Sequence, residues 1–162
     1  LQFAFLKELC GAAKASGVHV ALDTSGEAAA DAFREIAPRI DLFLFDVKAT
    51  GDAVHRKLTG VPAEPILANL RLLDSLGARI HLRCPLVPGV NDSEEHLRHV
   101  ARLAEELQGV EEVLVEPYHR LGEEKYARFG IPLALSGVDE PSPDLVSRWR
   151  SRIAALTHKR VR

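Results

Sequence analysis

Cysteine is scarce in this sequence. Cys10 and Cys84 are the whole complement, too far apart for a disulfide framework or a close-set metal motif, so both are expected to be small buried hydrophobes. A basic surplus is also lacking. Lys and Arg number 21 against 23 Asp and Glu, for a formal charge of -2 and a pI near 6.4. The counterion-release attraction that drives nucleic-acid binding therefore has no source. No apolar run approaches the ~20 residues that span a bilayer, and no charged segment leads into an apolar stretch as in a signal peptide. With nucleic acid and membrane set aside, a cytoplasmic protein is the expectation. Methionine is absent altogether. The chain opens on Leu1 already inside a helical pattern with no capping residue, and so is expected to be a piece of something longer.

What is present suffices for one core. The 162 residues are 46% hydrophobic and 27% charged, which fits a single domain over residues 1–162. Phe3, Leu6, Leu9, Cys10 and Ala13 recur at helical spacing over 1–16, and Gly17 closes that helix. Strands are expected at 18–22 and 41–47. The second is almost continuously apolar, as in a parallel strand covered on both faces. A helix from about Glu27 to Ile36, stopped by Pro38, lies between them. Further helices are expected near 52–58 and 64–76, a strand at 79–84, and a helix capped by Asp92 or Ser93. A strand at 111–117 follows. A last helix starts at Ser142 with Pro143 in its first position. Its buried stripe is Val146, Trp149, Ile153 and Leu156, and the basic tail beyond is expected to be solvated. Residues 130–143 read as a loop. This order gives an α/β fold of about four parallel strands with covering helices, either doubly wound or part of a barrel. In both, ligands gather at the carboxyl ends of the strands.

Polar groups sit at those ends. Leu42, Leu44, Asp46 and Lys48 share one side of their strand by parity, and so do His81 and Arg83 in the next. The first strand runs into Asp23-Thr24-Ser25-Gly26, and His119 emerges past Val113 and Val115. Taken singly, each has an ordinary reading: Asp23 as a helix cap, Asp46 with Lys48 as a structural ion pair, Arg83 and His119 as polar termini. Together they read as one ligand site, because several buried charges without a ligand cost several kcal/mol each. His19, His55, His96, His99 and His158 fall elsewhere and are read as core or solvated histidines.

The order of short motifs is familiar. Leu22-Asp23-Thr24-Ser25-Gly26, Phe45-Asp46-Val47-Lys48, Arg83 leading into Val87-Pro88-Gly89-Val90-Asn91-Asp92, and Pro117-Tyr118-His119-Arg120-Leu121-Gly122 followed by Lys125-Tyr126 resemble the glycyl-radical-enzyme activating enzymes. That radical S-adenosylmethionine family includes the pyruvate formate-lyase activase. The resemblance spans about residues 1–156 and implies a partial (β/α) barrel of the radical SAM type, with this chain forming strands 3 to 6 of six strand-helix units. It implies S-adenosylmethionine contacts at Asp46, Lys48, Arg83 and His119, and a monovalent-cation site at Asp23, Thr24 and the carbonyl of Leu44. It further implies a [4Fe-4S] cluster bound through a CxxxCxxC loop, a GGEP segment for the methionine amino group, a glycyl-radical enzyme as partner, and flavodoxin or ferredoxin as electron donor. Family chemistry is reductive homolysis of S-adenosylmethionine and hydrogen removal from a glycine of the partner. Neither CxxxCxxC nor GGEP occurs in these 162 residues, so the chain alone is not expected to perform it.

Two other classes stand beside that reading. One is a Schiff-base barrel lyase using Lys48, with Asp23, Asp46 and His119 moving protons. The other is a cluster-free remnant that binds a nucleotide or a protein loop through the same rim. A metal hydrolase on Asp23, Asp46, His81 and His119 lacks any paired ligand spacing.

Overall fold

The computed structural model describes residues 2–121, 123–132, 135 and 137–162, so Leu1 and Gly122 lie outside the described residues. Helix α1 (Phe3–Ala15) ends where Gly17 takes a φ of 71°, a conformation that costs a residue without Cβ little. Strand β1 is Ala21–Thr24 and begins later than expected. Val18 N donates to Ala13 O, and Val20 N to the Asp41 carboxylate at 2.8 Å, so the residues before Ala21 finish the helix and brace the next strand. Asp23 and Thr24 consequently lie within β1. Helix α2 (Ala30–Ile36) is shorter than the pattern suggested and passes into a 3-10 turn, Ala37–Arg39, that holds Pro38 near its start. There the missing N–H of proline has no partner to lose.

Strand β2 (Leu42–Asp46), helices α3 (Asp52–Thr59) and α4 (Glu64–Ser75), and strand β3 (Ile80–Leu86) follow. Then come α5 (Glu94–Glu106), β4 (Val110–Pro117), α6 (Glu123–Arg128), α7 (Pro143–Ala154) and β5 (Arg160–Val161). Ser93, not Asp92, caps α5 by accepting from His96 N at 3.2 Å, while Asp92 accepts from Gly89 N at 2.8 Å in the preceding turn. Ser142 caps α7, with Pro143 leading the helix.

The strands form one parallel sheet in chain order, β1-β2-β3-β4-β5. Alternate residues face opposite ways, and the two faces differ. Phe43, Phe45, Ile80, Leu82, Cys84 and Val113 are fully buried and join Leu70, Leu73, Val100, Leu103, Trp149 and Ile153 of the helices in one core. The other face holds Leu42, Leu44, Asp46, His81, Arg83 and Leu114, all partly exposed. β2 is therefore covered on one face, not two. Its apolar continuity reflects Leu42 and Leu44 on the half-open side.

The basic tail is structure rather than solvated chain. Arg160 and Val161 add a fifth strand against Glu112 and Val113, and Arg162 grips Glu112 through both Nε and Nη2. The Glu112 side chain is only 5% exposed, with Arg160 Nε at 3.3 Å and His81 Nδ1 at 3.8 Å. The bond from Arg162 first, with the charge of Arg160, holds its carboxyl below the usual range despite burial. The last helix stops before Leu156, which is exposed, as is Leu9 on α1. The apolar seat of α1 among the described residues is Phe3, Leu6 and Cys10.

Arg162→Ala should lower the midpoint of urea unfolding, because Glu112 would keep only Arg160 as a close cation. Acid should loosen the contacts at both ends of α5. Glu94, bonded by Arg152 and Arg98, and Glu105, bonded by Thr157 and His158, are each held at about 2 against an ordinary 4.5. A depressed carboxylate stabilises fully above its unfolded value and loses that contribution as pH falls toward the folded one. The thermal midpoint should fall between about pH 4.5 and 2, and less steeply in high salt because both groups are exposed.

Candidate functional site

Parallel pairing aligns the carboxyl ends of the strands, and the register decides who meets whom. Asp23 pairs with Leu44, Asp46 with Arg83, and Pro85 with Glu116. Their side chains project from the open face, where five charged groups converge. Lys48 Nζ bonds Asp46 Oδ2, and Arg83 Nη1 bonds Asp23 Oδ2. Arg83 Nε also donates to Glu116 Oε1 at 3.2 Å and lies 3.8 Å from Asp46 Oδ1. Arg83 is the hub. Burial works against its charge, yet the Glu116 bond and the charges of Glu116, Asp23 and Asp46 raise its pKa above the ordinary value.

Of the expected residues, the structure thus joins Asp23, Asp46, Lys48 and Arg83 in one network. Leu44 contributes the backbone beside Asp23. The Thr24 hydroxyl faces away from them, accepting from Gly26 N at 3.1 Å in the turn after β1. His119 stands exposed just past β4, with no ion pair or hydrogen bond among the described residues. Among these residues no cluster of three or more His, Cys, Asp or Glu is placed to hold a metal ion, so the hydrolase arrangement does not form. His81 belongs instead to the Glu111 and Glu112 end of the sheet.

Glu116 is the residue that sequence reasoning passed over. Val113 and Val115, which lead by alternation toward His119, face the helices. The open face of β4 runs through Leu114 to Glu116, and an acidic residue two positions beyond a half-buried leucine was the available signal. Asn91 was also missed as a support. Its Nδ2 donates to Lys48 O at 2.8 Å and Pro85 O at 2.7 Å, and its Oδ1 accepts from Val87 N at 2.7 Å. The loops after β2 and β3 are thereby tied together at the base of Lys48. Behind them His96 links Thr50 Oγ1 at 3.0 Å to Cys84 Sγ at 3.7 Å. Burial drives the His96 pKa down to about 4, so it is a neutral structural histidine, and burial pushes the Cys84 thiol up. Beside Lys48 opens a cleft of about 820 Å³ that includes Val54, Leu58, Pro85 and Val87.

No family model matches the chain. A search of curated proteins gave a pyruvate formate-lyase-activating enzyme of Staphylococcus epidermidis, 36% identical over 152 residues, covering 90% of this chain and 61% of that protein. A trans-4-hydroxy-L-proline dehydratase activating enzyme of Clostridioides difficile is 39% identical over 123 residues, 73% of this chain and 40% of that protein. The chain belongs to the glycyl-radical-enzyme activating enzyme family. It spans about three-fifths or less of these relatives. A domain of pyruvate-formate lyase-activating enzyme from Bacteroides vulgatus superposes with a TM-score of 0.79 at 23% identity, over 99% of this chain and 91% of that one. Coproporphyrinogen III oxidase of Escherichia coli, described as a radical SAM enzyme, matches with a TM-score of 0.63 at 17% identity, over 96% of this chain and 36% of its own. The fold is that of the radical SAM partial barrel.

Family membership makes the turn after β1 worth a direct test. Gly26 has a φ of 78°, and a Cβ there would lie 2.3 Å from Phe45 Cζ and 2.8 Å from Ile66 Cγ2. Asn69 Nδ2 fixes the same turn by donating to Gly26 O at 2.9 Å and Ala28 O at 2.8 Å. Gly26→Ala should therefore cost about 2–4 kcal/mol, from the left-handed backbone and the overpacking together. Chemical denaturation measures it, and Gly17→Ala, which has open space around it, should cost less.

Proposed function

We propose that this chain is the C-terminal portion of a radical S-adenosylmethionine activating enzyme and supplies one side of the cofactor's cradle. The supporting observation is the meeting of Lys48, Arg83, Asp46 and Asp23 on the open face at the carboxyl ends of β1 to β3.

These groups fit the charged end of S-adenosylmethionine. Lys48 and Arg83 offer an ammonium and a planar guanidinium for a carboxylate, the donors that make its strongest hydrogen bonds. Asp46 accepts from hydroxyl or ammonium groups, and His119, exposed at the rim, can turn inward to a ribose. When bound, the cofactor supplies a sulfonium whose reductive cleavage starts radical chemistry, while the protein supplies orientation and electrostatics. Lys48 holds and orients through Asp46. An amine committed to a carboxylate is a poorer nucleophile, so the pair favours this role over a Schiff base.

An iron-sulfur cluster does not fit these residues. Clusters are held by several cysteine thiolates, whereas Cys10 and Cys84 are both buried and unpaired. Any cluster ligands belong to sequence outside these 162 residues. A monovalent cation at Asp23 would need Arg83 to release that carboxylate and Thr24 to leave its turn. In the full-length protein the partner is a glycyl-radical enzyme, whose glycine-bearing segment would approach the open face, and the electron donor is of the flavodoxin or ferredoxin class.

Calorimetric titration of the chain with S-adenosylmethionine tests the reading. Binding is expected in the micromolar to millimolar range, and Lys48→Ala or Arg83→Ala should each weaken it at least about tenfold, the worth of a charge-assisted hydrogen bond. Absence of heat at millimolar ligand would sink the cradle assignment.

A further inference from the structure

Charge at the rim does not balance. In this network of described residues Lys48 is matched by Asp46 and Arg83 by Asp23, which leaves the carboxylate of Glu116 as a third anion against two cations. Glu116 is anchored rather than adrift, with Oε1 3.2 Å from Arg83 Nε, and it faces the same side of the sheet as Asp46. Its side chain is 43% exposed, so its field reaches a ligand on the open face through a partly aqueous medium.

We propose that Glu116 is a specificity-determining residue, giving the site a surplus negative charge that selects a nucleoside sulfonium over the corresponding neutral thioether. The proposal rests on the S-adenosylmethionine reading and sharpens it. At neutral pH, S-adenosylmethionine carries a carboxylate, an ammonium and a sulfonium, one net positive charge. S-adenosylhomocysteine has the same carboxylate, ammonium and adenosine but no charge on sulfur. Shared contacts to Lys48, Arg83 and Asp46 bind both alike and cannot tell them apart. A surplus carboxylate can, because its Coulomb term acts on net charge and persists over several ångströms at intermediate dielectric. Glu116 also turns the Nε edge of Arg83 toward β4, and in that role it serves both ligands equally. The two roles therefore separate in a comparison of the ligands.

Titration calorimetry with both ligands on the wild-type chain, Glu116→Gln and Glu111→Gln decides it. Glutamine keeps an acceptor for Arg83 Nε and deletes only the charge. Glu111 pairs with exposed Arg79 at 2.7 Å outside the rim. Glu116→Gln should weaken S-adenosylmethionine about threefold to tenfold while S-adenosylhomocysteine stays within about twofold, and the difference should shrink as salt rises. Glu111→Gln should leave the ratio unchanged. Equal weakening of both ligands, or an unaltered ratio, overturns the charge role and leaves the cradle reading standing. Failure of the wild-type chain to bind either ligand overturns both.

Discussion

The two-residue period of a parallel strand is the constraint on which this molecule depends. Once Phe43, Phe45, Ile80, Leu82, Cys84 and Val113 are committed to the helices, their neighbours in sequence must face the other way. That second face stays partly exposed. It can hold side chains that an enclosed core would reject, and the chain uses it for Asp46, Arg83, Glu112 and Glu116. The helices thus stabilise the sheet from one side only, and the polar side is free to evolve as a site. The burial of the site's charges is incomplete, which spares the several kcal/mol that full desolvation of each would cost.

Ion pairing then organises the open face into two separate layers. At the amino end of the strands Glu112 takes Arg162, Arg160 and the flank of His81, and so docks the last strand. At the carboxyl end Arg83 links β1, β3 and β4 through Asp23 and Glu116, while Lys48 and Asp46 close the gap on β2. The first layer is structural: its glutamate is nearly inaccessible and its arginines lie on the terminal strand. The second is half open to solvent, so its pairs can exchange partners with a ligand at little cost.

Most of this architecture was legible in the sequence, and the failures have physical reasons. Parallel strands were read from composition, and the shared face of Asp46, Lys48 and Arg83 from alternation, because β2 runs by parity from Leu42 and Leu44 to Asp46 and β3 from His81 to Arg83. β5 was not legible. Two residues of strand between Lys159 and Arg162 look like a solvated tail until Glu112, far back in the chain, supplies the countercharge. β4 misled in another way. Consecutive Glu111 and Glu112 coincide with a register shift against β3, which blurs the parity and hides the open-face position of Glu116. The start of β1 was misplaced because Val18 to Val20 have strand composition, yet their amides are taken by α1 and by Asp41.

Preorganisation in this site lies in the backbone, not in the charged side chains. Lys48 and Arg83 have long, flexible stems whose ordering costs entropy, and in the free chain they rest on carboxylates. What cannot move is where those stems begin. Asn91 makes three hydrogen bonds across the loops after β2 and β3, the buried Thr50, His96 and Cys84 chain packs beneath them, and Asn69 pins the turn after β1 at two carbonyls. Each support is a neutral group, indifferent to the charge of whatever binds above it. A ligand carboxylate can therefore displace Asp46 or Asp23 from its cation without loosening the frame that aims the cation. That division, neutral bonds for the frame and exchangeable ion pairs for the rim, lets the same residues be satisfied in the free chain and available to a charged ligand.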